Sequence, residues 1–133
     1  MSVEVSLISK GRIEAEDVSA FLSKVSGRPT EICNVFTDEN SGTDYFNITF
    51  RSPLNRRYTR TLRAHHSTGG EDRYAEHVGD GEYTYMVLGA HQNGESIMRM
   101  LAEEFGGYLE NDEDESIEYI DAGAEPLKSP MVA

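Results

Sequence analysis

The sequence predicts an α+β two-layer sandwich, a mixed or antiparallel sheet of five to six strands with two helices on one face. Three observations carry this. Short stretches alternate apolar and polar residues, as in YFNITF at 45–50. Two longer segments repeat apolar residues at helical spacing, Val18, Phe21, Leu22, Val25 and Ile97, Met98, Leu101, Phe105. The segments run strand, helix, three strands, long loop, strand, helix, strand, an order that suits helices gathered on one sheet face.

Each element has its own signal. Val3, Val5 and Leu7 alternate with Glu4 and Ser6, and Lys10-Gly11-Arg12 ends that strand. Glu14, Glu16 and Asp17 stand where the first helix begins, favourable to its dipole, and Gly27 and Pro29 stop it. EICNVF, 31–36, reads as a strand, and DENSGTD, 38–44, as the turn that pairs it with 45–50 in a hairpin. Pro53 and Asn55 mark a further turn before RRYTRTLRA, a strand rich in threonine and arginine whose charge suits a sheet edge. YTYMVL, 83–88, is apolar on both faces and therefore central. Asn93 is placed to cap the second helix, which Gly106-Gly107 terminates. ENDEDESIE, 110–118, is an acidic run leading into a short strand at 117–120. The outline is ferredoxin-like with an added hairpin. Residues 1–121 form one domain, and 122–133 read as a flexible tail.

The chain has 133 residues, enough for a core without disulfides. Its one cysteine, Cys33, lies in an apolar stretch and is expected to be buried and inert. The N-terminus carries an acid at position 4 and lacks the basic start and apolar block of a secretion signal. No apolar run approaches a membrane span, so a cytoplasmic protein is expected, and the sequon Asn47-Ile48-Thr49 is idle.

Catalytic and metal motifs fail on inspection. In DENSGTD, Asp38, Asn40 and Asp44 have calcium-loop spacing, but Thr43 and Thr49 stand where that loop needs glycine and glutamate. Histidines 65, 66, 77 and 91 lack the partners of a zinc motif, and no nucleophile elbow or phosphate loop is present. Neither metal nor cofactor is expected.

The net charge is −12, which argues against duplex nucleic acid or anionic lipid as a direct ligand. Yet five of the 12 basic residues, Arg51, Arg56, Arg57, Arg60 and Arg63, fall within 51–63, and 45–70 contain no acid. Three explanations compete. The arginines neutralise acids inside the fold. Or Arg56, Arg57, Arg60 and Arg63, with Tyr58, His65 and His66, form an anion site. Or opposite charges are sorted outward for protein recognition, Asp112, Glu113, Asp114 and Glu115 facing a partner.

The expected function is therefore that of a small acidic accessory protein, an inhibitor or decoy without catalysis of its own. It docks on a basic partner surface or self-associates. The alternative is an enzyme or sensor for a phosphorylated small ligand or nucleotide, using the arginine strand 56–63 and loop 65–81.

Overall fold

The computed structural model describes residues 3–67 and 81–123. Within them the chain order is β1 (Glu4–Lys10), α1 (Ala15–Ser26), β2 (Glu31–Thr37), β3 (Asp44–Arg51), β4 (Thr59–Ser67), β5 (Tyr83–Gly89), α2 (Gly94–Phe105), β6 (Gly107–Asn111) and β7 (Ser116–Ile120). The strands make one sheet, ordered β2-β3-β4-β5-β1-β6-β7, and every neighbouring pair is antiparallel.

Strand alternation decides what the sheet buries. Phe46, Ile48 and Phe50 of β3, Leu62 and Ala64 of β4, Met86 and Leu88 of β5, and Val5 and Leu7 of β1 all point to one side. There they join Val18 and Leu22 of α1 and Ile97, Met98 and Leu101 of α2 in a single core cluster. The helices meet each other through Phe21 and Phe105, whose rings stand edge to face at 5.9 Å. Both helices thus lie on one face. No described helix is long and apolar enough to cross a membrane.

The sheet has seven strands, not five or six, and departs from the ferredoxin-like outline in order and number. The strand absent from the expectation is β6. Its five residues follow α2 after a single residue, Gly106, so helix exit and strand start merge in the sequence. Glycine is required at the junction: a Cβ on Gly107 would stand 2.4 Å from the Ile8 carbonyl oxygen of β1. Asp112–Glu115 are then the tip of a β6–β7 hairpin, where Glu115 takes a left-handed backbone (φ 57°).

Two further expectations change. β4 begins at Thr59, three residues late, because Ser52 and Asn55 build a longer turn. The Ser52 hydroxyl accepts from the amides of Leu54 and Asn55, the Asn55 side chain from the amide of Arg57. β4 is also an interior strand, paired with β3 and β5, not an edge. Asn93 does precede α2, but its side chain makes no cap bond and its backbone is left-handed (φ 69°). The turn is held from elsewhere, by Arg60. Most of the 65–81 segment and the tail beyond 123 lie outside the described residues, whereas 65–67 complete β4. Cys33 is half-buried rather than buried, because β2 is an edge strand that bulges after it.

Candidate binding surfaces

The five arginines of 51–63 divide three ways. Arg60 is the buried one, 5% exposed, because alternation in β4 sends it to the helix side with Leu62 and Ala64. Its guanidinium donates to the carbonyl oxygens of Gly89, His91 and Gln92 at 2.8, 3.0 and 2.9 Å. Burial pulls its pKa below the ordinary arginine value. The expectation that Arg60 belongs to an anion site is corrected: Arg60 is a structural bracket for the β5–α2 turn and is not free to bind a partner.

Arg63 faces the opposite side and pairs with Glu4 of β1. Among the described residues it is the only one of the five to meet a carboxylate, so internal neutralisation accounts there for one arginine of the segment. Arg51 donates to the carbonyl of Arg56 at 2.7 Å across the β3–β4 turn. Arg56 and Arg57 occupy the exposed tip of that turn, and among the described residues no group bonds to either side chain. Tyr58 and Leu54, both exposed, lie beside them.

The adjacent histidines separate, as strand geometry requires. His66 is buried under the helices, its Nε2 donating to the Ile13 carbonyl at 2.6 Å. His65 stands on the helix-free face between Tyr45 and Tyr85, with ring centroids 5.4 and 5.0 Å away, and Phe36 stacks on Tyr45 at 4.8 Å. Phe36, Tyr45, Asn47, Arg63, His65 and Tyr85 line a groove of about 480 Å³. The anion site expected from the sequence is therefore not assembled as a unit. Arg63 and His65 share the groove, Arg56, Arg57 and Tyr58 share the turn, and Arg60 and His66 are used inside.

The acidic residues behave differently. Asp112, Glu113, Asp114 and Glu115 are all exposed, and no cation pairs with any of them among the described residues. Hairpin geometry fixes them: Asn111 accepts from the amide of Glu113, and Asp114 accepts from the amide of Ser116 at 3.0 Å. Ser116, through its side-chain hydrogen bond first and its amide second, holds the Asp114 carboxyl below its usual pKa. Next to them on β7, the outermost strand, Ile117 and Tyr119 are 41% and 58% exposed. Glu118 turns the other way, to Arg99 of α2. Large exposed apolar side chains thus stand beside exposed charge on this sheet edge.

Segment 38–44 is the β2–β3 turn with the first residue of β3. Asp38 accepts from the amide of Asn40, and Asp44 is held by the Thr37 hydroxyl and Arg12. Among the described residues no three His, Cys, Asp or Glu side chains could hold a metal ion. Residues not singled out from the sequence are Leu54, Ile117 and Tyr119. A leucine between Pro53 and Asn55, in turn chemistry that buries nothing, was the available signal for the first.

Compared with protein families, with curated proteins and with solved structures, the chain finds no match. Its class rests on the fold and its surfaces: a small α+β domain with an antiparallel sheet covered by helices on one side.

Proposed function

We propose that this is a non-catalytic accessory protein of the cytoplasm that docks on a basic protein surface, in the manner of an inhibitor or decoy. One observation carries the reading: Asp112–Glu115 project from the β6–β7 hairpin with no cation partner among the described residues, beside exposed Ile117 and Tyr119. The apolar pair supplies area to bury, and the acids supply steering and partner choice. β7 also leaves one row of backbone groups open at the sheet edge, so an extended basic segment can add there as a further strand.

The test is a titration of isotope-labelled protein with a peptide alternating lysine and valine, read by amide shifts. Saturable shifts confined to 111–120, weakening with salt and absent from the D112N/E113Q/D114N/E115Q variant, support the reading. No saturable shift, or one indifferent to neutralisation, overturns it.

A second reading has its own observation, the groove of about 480 Å³ with Arg63 and Asn47 among aromatic rings. Its volume and mixed lining suit a small planar anion. A thermal-shift screen against nucleotides and sugar phosphates checks it, since a ligand bound to the folded state raises the apparent melting temperature.

A further inference from the structure

Strand directions place the connections of this fold at two ends of the sheet. The turn 52–58 follows β3, whose Arg51 pairs with Thr59. The hairpin tip 112–115 follows β6, whose Asn111 pairs with Val5, and Val5 pairs in turn with Leu88 near the end of β5. Antiparallel register thus brings both tips to the same end. They are separated across it by the strands between β4 and β6, about four strand spacings or roughly 20 Å from hairpin to hairpin.

That end is electrically divided. On the β2–β4 side exposed Arg28, Arg56 and Arg57, none with a carboxylate partner among the described residues, outnumber exposed Glu31 and stand with exposed Leu54 and Tyr58. On the β6–β7 side stand exposed Asp112–Glu115 and Ile117. The two halves match in character: unpaired guanidiniums with apolar residues, and unpaired carboxylates with apolar residues. They lie too far apart to meet within one molecule.

A two-fold axis normal to the sheet, passing midway between the two tips, solves both problems at once. It turns a second copy end to end with the first and sets each basic turn opposite the other copy's acidic hairpin. The contact is isologous and closes, so it yields a dimer and not a filament.

We propose that the partner surface met by the acidic hairpin is the 52–58 turn of a second copy of this chain, in a two-fold, end-to-end dimer. The proposal rests on the docking reading above and names its occupant. Arg56 and Arg57 provide fork-shaped donors matched to carboxylates, and Leu54 and Ile117 provide the apolar contact. The copies carry a net charge of −12 each, so like charge opposes an unselective meeting of their surfaces, and opposing the basic turn to the acidic hairpin offsets that repulsion.

The experiment is sedimentation equilibrium of the full chain at low and high salt. A dimer is expected at low salt, with a dissociation constant at least tenfold larger at high salt. The variant R56E/R57E and the variant D112K/E113K/D114K/E115K are each expected to be monomeric, with circular dichroism unchanged because all six positions are exposed turns. Mixed in equal amounts they are expected to regain a dimer, since the reversed turn of one then faces the reversed hairpin of the other. A wild-type monomer at every concentration, a dimer indifferent to both reversals, or failure of the mixture to associate overturns the proposal. Should one variant misfold, R56Q/R57Q replaces the first and D112N/D114N the second, each expected to weaken the dimer at least tenfold, and an unweakened dimer overturns the proposal equally. A monomer that still binds the lysine–valine peptide at 111–120 leaves the docking reading standing and removes only the second copy as partner.

Discussion

Gly94, the first residue of α2, lies directly against the carbonyl of Gly89, the last residue of β5. A Cβ added to Gly94 would stand 1.8 Å from that oxygen. Between the two glycines the chain turns through Gln92 and Asn93, both left-handed (φ 52° and 69°). Arg60 of β4, the neighbouring strand, reaches the same Gly89 carbonyl.

Helix propensity alone makes Gly94→Ala stabilising by about 1 kcal/mol. Contact with a backbone oxygen reverses the sign, because the turn has to open. Destabilisation of ~1–3 kcal/mol or more is expected, measured by urea denaturation.

Arg60→Met is expected to cost ~3 kcal/mol or more, since three carbonyls lose a charged donor together. Arg60→Lys keeps the charge but lacks the planar fork that spans three residues, so it recovers less than half of that loss. The urea midpoint at unchanged slope reports both.

Acid titration separates paired from unpaired carboxylates. The Thr37 hydroxyl and then Arg12 hold Asp44 below its usual pKa, and Arg99 does the same for Glu118. A folded pKa below the unfolded one stabilises the fold above the unfolded value. That contribution fades as pH falls through the folded value, so it persists below the ordinary carboxylate range of about 4. Carboxyl-carbon NMR is expected to show both groups titrating late, and Arg99→Gln to return Glu118 alone to the ordinary range.

Surface and core are expected to part company. Leu54→Ser and Ile117→Ser change stability by no more than about 0.5 kcal/mol, since both side chains are exposed. Ile48→Ala costs ~2–5 kcal/mol. If docking uses the exposed pair, only the first two variants weaken association in sedimentation, and only the third lowers the melting temperature.

The elements legible in the sequence were those with a long period. YFNITF, the Val18–Leu22 stripe and the Ile97–Leu101 stripe each bury the residues their spacing assigns to the core. Gly27 ends α1 in a left-handed conformation, its amide bonded to the Ser23 carbonyl, as a helix-ending glycine does. YTYMVL is the middle strand of the sheet, as its two apolar faces imply. β6 escaped because five residues beside a helix exit give too little pattern to count, and their place is set by the approach of Gly107 to β1. The opposite facing of His65 and His66 was readable from alternation. The fate of Arg60 was not, because its partners are carbonyls of a turn some 30 residues away.

By itself the sequence determined the buried faces of its clearly periodic elements and where charge collects, because periodicity and composition are local and need no knowledge of neighbours. Only the tertiary structure decided which arginines remain available. Pairing register carried Arg60 inward to three carbonyls, set Arg63 beside Glu4, and left Arg56 and Arg57 at the same end of the sheet as Asp112–Glu115. The physical reason is that a strand's neighbours are chosen by long-range pairing, and a charge has meaning for binding only after those neighbours have claimed it or left it to solvent.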